Sequence, residues 1–95
     1  MDRSLFVGDI VTLKVDCLGN SAGTAGVVYE EYDLGDGPGA SVIFENRNYD
    51  GFSVDDQKNF LHHVGHYNPY ENYQFTNVMQ LSRDFDAGFF NDAFI

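Results

Sequence analysis

From Asp9 to Cys17 apolar and polar residues alternate: Val11, Leu13, Val15 and Cys17 fall on one side of an extended chain, Thr12, Lys14 and Asp16 on the other, with Ile10 the one exception. A period of two belongs to a half-buried strand, because successive side chains of a pleated backbone point to opposite faces. Gly8-Asp9 before the run and Gly19-Asn20-Ser21 after it are the residues that punctuate strands. The start of the chain is therefore committed to a sheet, and the sheet needs partners.

The rest of the sequence supplies them. Gly26 to Tyr32 is rich in strand formers, and so is Ala40 to Glu45. Between them Asp33-Leu34-Gly35-Asp36-Gly37-Pro38-Gly39 is too glycine-rich for regular structure, which predicts a hairpin with a long tip. Asn48-Tyr49-Asp50-Gly51 predicts a tighter turn, and Phe52-Ser53-Val54 a short strand after it. Ser53 with Asp56 forms a weak capping box, and Phe60, Leu61 and Val64 share a helical face, so a helix is predicted from about Val54 to His63, closed by Gly65. His66 to Tyr73 is irregular and aromatic around Pro69, and Thr76 to Leu81 reads equally as a last strand or a helical turn.

A chain of 95 residues, 43% hydrophobic and 16% aromatic, is one domain with a packed core. Its net charge of -10 disfavours direct nucleic-acid binding, which needs concentrated positive charge, and the five basic residues Arg3, Lys14, Arg47, Lys58 and Arg83 are scattered. Anionic membranes are poor partners for the same reason. A basic protein is the better electrostatic match, although negative charge also serves plain solubility. Cys17 is the only cysteine, so no internal disulfide forms. No apolar run is long enough to span a bilayer and Met1-Asp2-Arg3-Ser4-Leu5 is unlike a secretory signal, which leads us to expect a cytoplasmic protein.

At Gly8-Asp9-Ile10-Val11-Thr12-Leu13, then Ala22-Gly23-Thr24-Ala25-Gly26-Val27-Val28, then Val42-Ile43-Phe44-Glu45-Asn46, the first half of the chain resembles small SH3-like barrels, KOW-type domains included. The resemblance implies a mainly β fold: a small SH3-like barrel with a short helical insertion before the last strand. Residues 1–95 would form one such domain, with the insertion near 53–73 and an aromatic tail over 84–95. Such barrels serve as binding modules in ribosomal proteins, transcription factors and signalling proteins, and fold alone does not choose among these. Their nucleic-acid-binding members are basic, and this chain departs from that.

Each candidate site residue also has a structural role open to it. Tyr67, Tyr70 and Tyr73, with Tyr49 and Phe52, form an aromatic set suited to gripping a peptide, and equally suited to sealing the open ends of a small barrel. Asp33 and Asp36, with Glu71, would add attraction for a basic ligand; as a calcium loop they lack the closing glutamate. His62 and His66 would share a helical face able to hold a metal, but Gly65 intervenes, and histidines near a helix C-terminus are favoured by the dipole. Cys17 lies on the inward face with no nucleophile signature around it, which reads as a structural thiol. The glycines from Gly19 to Gly26 match neither phosphate-cradling fingerprint.

Three functional readings follow. The first is a non-enzymatic protein-binding module with a protein partner, basic in charge, and no cofactor or bound metal. The second is an acidic inhibitor, of phage or mobile-element type, that imitates nucleic acid. The third is a small metal-dependent enzyme using His62 and His66. Independently, Phe89, Phe90, Phe94 and Ile95 load the tail with apolar surface that either folds back or pairs with a second copy.

Overall fold

Strands β1 (Asp9–Leu13), β2 (Ala25–Asp33), β3 (Pro38–Phe44), β4 (Tyr49–Phe52) and β5 (Leu61–His66) pair antiparallel in the order β4-β3-β2-β1-β5. Helix α1 (Val54–Phe60) joins β4 to β5, and helix α2 (Val78–Asp86) follows the sheet. This is a computed structural model that describes residues 5–17, 19–33, 38–67, 74–75 and 77–88. The fold is mainly β, with the expected short helix before the last strand. Among the described residues β4 and β5 are the sheet edges, and no helix is long and apolar enough to cross a membrane.

Both faces of the central strands β1, β2 and β3 are buried. One carries Val11, Leu13, Val28, Val42, Phe44 and Phe52, closed by Leu5 and Leu61, with Phe44 and Phe52 meeting edge to face at 6.2 Å. The other carries Ile10, Val27 and Ile43 beneath Leu81 of α2 and Tyr67. Ile10, an exception to alternation, is thus a core residue of the second face, 1% exposed. Neighbouring residues of β1, β2 and β3 feed opposite cores, which is why these strands read as nearly continuous apolar runs.

The local chemistry explains most element boundaries. Ser53 caps α1 by accepting from the Asp56 amide at 3.2 Å, as its spacing suggested. Buried Gln57 donates to the Phe52 carbonyl at 3.0 Å, fixing the helix on the end of β4. Asn77 caps α2, its side chain accepting from the Gln80 amide at 3.1 Å, so residues 78–81 resolve as helix rather than strand.

Several sequence expectations are corrected. The helix from Val54 ends at Phe60, and Leu61–His66 is a strand, because Leu61 completes the first core opposite Leu13 and the backbone bonds of β1 need a partner. The last strand therefore lies inside the segment read as an insertion. β1 ends at Leu13; Val15 is exposed, and Cys17 pairs with Asn20 in a tight turn. The β3–β4 turn is not Asn48-Tyr49-Asp50-Gly51 but residues 45–48, since β4 must place Phe52 in the core opposite Ala40. Of the expected tail, Asp84 to Asp86 complete α2 and residues 89–95 lie outside the described set.

That turn has an unusual occupant. The Arg47 amide donates to the Phe44 carbonyl at 2.8 Å and the Phe44 amide to the Asn48 carbonyl at 2.7 Å, the pattern of a three-residue hairpin loop closed by a left-handed bulge residue. Glycine is usual there, yet Arg47 holds φ 74°, at a steric cost of about 1–2 kcal/mol. Its side chain accounts for the choice: the guanidinium donates to the Glu45 carbonyl and the Asp86 carboxylate and lies 4.9 Å over the Phe85 ring, tying the turn to the end of α2. The ion pair is exposed enough to contribute only about 0–1 kcal/mol, and the ring contact adds about 0.5–1 kcal/mol. Arg47→Ala should therefore lose about 1–2 kcal/mol in denaturant unfolding, while Arg47→Gly, which also relieves the strain, should stay within about 1 kcal/mol of the parent. Equal losses would show that the left-handed conformation carries no strain.

Candidate functional site

A bulge in β2 builds the most distinctive surface. Val28 pairs with Val42 and Glu30 with Ser41, leaving Tyr29 as the extra residue. Bulges re-aim side chains, and this one changes which residues share a face. Tyr29 and Tyr32 are three apart and would point oppositely in a regular strand. Beyond the bulge Glu31 lies opposite Ala40 of the first core, so Tyr32, opposite Gly39, turns to the second face, where Tyr29 already packs against the second core cluster. Tyr49 of β4 lies opposite Ile43 of that same second face.

The floor under these tyrosines is cut from small residues. A Cβ placed on Gly39 would overlap the Tyr32 ring, and one on Gly51 would overlap its hydroxyl, so the ring lies across β3 with its oxygen over β4. Ser41, opposite Gly51, donates to Glu30 Oε1 at 3.3 Å and hydrogen-bonds the Tyr29 hydroxyl. Tyr32 is half-buried and Tyr49 is 66% exposed, the larger part of its ring facing solvent. At its turn end Tyr49 also borders a shallow concavity of about 320 Å³ shared with Asn20, Phe44, Arg47, Asn48 and Asp50. The tyrosine face and this concavity are continuous through one side chain.

The structure distributes the expected site residues unevenly. Tyr49 is on this surface. Tyr67 is 8% exposed, its ring edge to face with Phe75 at 6.3 Å in the second core, so it packs rather than presents an anchor. Asp33 is the last residue of β2, and Tyr70, Tyr73, Glu71 and Asp36 lie outside the described residues. Tyr29 and Tyr32 were missed, since only the bulge brings them together; the glycines at 39 and 51, facing strand tyrosines, were the available signal.

The histidines make a different arrangement from the one expected. They lie on β5, where His62 is opposite Thr12 and His66 opposite Asp9, so no helical face joins His62 to His66. Instead His66 Nδ1 donates to Asp9 Oδ1 at 2.9 Å, His63 Nε2 approaches the same oxygen at 3.5 Å, and Asp9 Oδ2 accepts from the Phe6 amide at 2.8 Å. The Asp9 side chain is only 3% exposed, and the cluster fastens the segment before β1 to the edge strand. Cys17 follows the opposite end of β1 and packs against the first core. Among the described residues, no group of three His, Cys, Asp or Glu side chains is placed to hold a metal ion.

No protein-family model, curated protein or solved structure matches this chain.

Burial raises the Tyr29 pKa above 10.0; the Ser41 hydrogen bond offsets part of the rise, and Glu30, Tyr49 and Tyr32 add to it. The native state thus favours the neutral phenol more than the unfolded chain does, so this stabilisation is complete below about pH 10 and is lost as pH rises beyond it. Tyrosine ring-carbon NMR should place the Tyr29 midpoint above the free-tyrosine value, and Tyr29→Phe should lose less stability between about pH 9 and 11 than the parent. A Tyr29 midpoint at or below the free value would contradict this.

Proposed function

We propose that this chain is a small protein-binding module of the SH3-like barrel kind, and that its ligand is an extended segment of a partner protein bearing basic residues. The observation that carries the reading is the gathering of Tyr29, Tyr32 and Tyr49 on one sheet face over a floor of Gly39, Ser41 and Gly51. Tyrosines offer large, rigid, amphipathic contact area at small entropic cost, which makes them frequent binding anchors. A β2 bulge and two ring-accommodating glycines exceed what core packing needs from residues at the sheet margin.

The barrel reading is supported by strand order. An antiparallel sheet with β1 between β2 and β5, and a short helix leading from β4 to β5, has the connections that a small barrel uses when its two edges curl toward each other. The basic-partner reading is supported by charge. The chain carries -10, Glu30 lies on the tyrosine face opposite Ser41 and Asp50 on the other side of β4, while Arg47 is already engaged with Asp86.

Selection of displayed random peptides against the intact chain should enrich sequences containing Lys or Arg. Tyr49→Ala should weaken the selected peptide by about tenfold or more with an unchanged circular dichroism spectrum, because the ring is solvent-facing and supports no core. Undiminished binding by Tyr49→Ala would remove the tyrosine face as the site.

A further inference from the structure

We infer, resting on that reading, that the ligand docks by strand addition along β4, with a period-two pattern: apolar residues toward Tyr49 and basic residues toward Asp50. The hydrogen-bond register determines what the edge offers. The Phe44 amide bonds the Asn48 carbonyl, and Ile43, Val42 and Ser41 lie opposite Tyr49, Asp50 and Gly51. Bonded and non-bonded pairs alternate in an antiparallel ladder, so Asp50 exchanges bonds with Val42 while Tyr49 and Gly51 aim their N–H and C=O groups away from β3. The Gly51 amide accordingly donates to the Asp50 carboxylate at 2.9 Å, a local side-chain partner in place of a strand.

The same register sorts the side chains. Tyr49 and Gly51 belong to the tyrosine face, and Asp50, opposite Val42, belongs to the first-core face. Helix α1 begins two residues after β4 and carries Asp55 and Asp56 in its first turn, with Phe60 packed on that first core. Asp50 therefore stands on one side of the β4 edge, with Asp55 and Asp56 following in the first turn of α1, and tyrosines stand on the other. Charge complementarity selects a partner strand bearing Lys or Arg over a second copy of this chain, which would set the same carboxylates against each other. On docking, a carbonyl of the added strand takes the Gly51 N–H, and the released Asp50 carboxylate pairs with the incoming cation.

The test titrates the full-length, isotope-labelled chain with a short synthetic peptide of alternating Lys and Val. The comparison probes are its Glu-for-Lys counterpart and two versions N-methylated on one or the other alternate set of residues. Expected are slowed exchange of the Tyr49 and Gly51 amides by about tenfold or more, and no binding of the Glu peptide. One N-methylated version should lose binding by about tenfold while the other binds normally. Asp50→Lys, its fold verified by unchanged β1 amide signals, should also lose about tenfold for the Lys peptide. Should both N-methylated peptides bind normally while shifting the Tyr49 ring signals, strand addition is wrong and the tyrosine-face reading stands. Failure of the Lys peptide to bind at all would overturn strand addition, and if the displayed peptides also fail, the binding-module reading falls with it.

Discussion

The constraint on which everything else depends is that the central strands carry apolar residues on both faces. Val11, Val28 and Val42 point one way, Ile10, Val27 and Ile43 the other, all at most 1% exposed. A five-stranded sheet of this size cannot leave either side to water, since each such side chain contributes on the order of 1.5–3 kcal/mol when buried. One face is closed by Leu5, Leu61 and the residues around α1, the other by α2 and Tyr67. The Arg47 contacts with Phe85 and Asp86 follow from this arrangement, because a nine-residue helix held chiefly by Leu81 gains from a second attachment at its end.

Coverage of the second face is local, and the tyrosine surface is the consequence. The cluster under Leu81 includes Ile10, Val27 and Ile43 and borders Tyr29, whereas Tyr32 and Tyr49 stand outside it. Near the β4 edge the side chains shrink to Gly39, Ser41 and Gly51, and the Tyr32 ring fills the room they leave. The surface is thus neither core nor ordinary solvated face. It combines tyrosine rings of graded burial with carboxylates at β4, an edge of the sheet among the described residues, and on these features the proposed docking of an extended, positively charged chain rests.

How much of this could be read from the residues alone depends on whether each feature is local. The start of β1, strands β2 and β3, and the Ser53 cap of α1 were legible, because alternation, strand propensity and capping act over a few residues. The bulge at Tyr29 was not, because it is defined by the register between β2 and β3, and with it went the shared face of Tyr29 and Tyr32. The expected helix extends through Leu61, His62 and His63 because Phe60, Leu61 and Val64 fit a helical face, but pairing with β1 overrides so short a pattern and makes Leu61–His66 a strand, with Val64 outside the paired register between His63 and Gly65. Asp50-Gly51 carries the residue preference of a hairpin turn, whereas the turn at residues 45–48 has no such local signal, since no propensity places an arginine in the left-handed position and its contacts with α2 are long-range.

The two-sided core is open to one direct measurement: native-state hydrogen exchange of the intact chain beside its Leu81→Ala variant. If α2 is an integral cover, the variant loses about 2–4 kcal/mol, and the amides of Val27 and Ile43 lose protection by the same amount as those of α2, because helix and sheet open as one unit. Loss of protection confined to α2, with the sheet amides unchanged, would mean that the second face is stable without its helix and would contradict the account at its base.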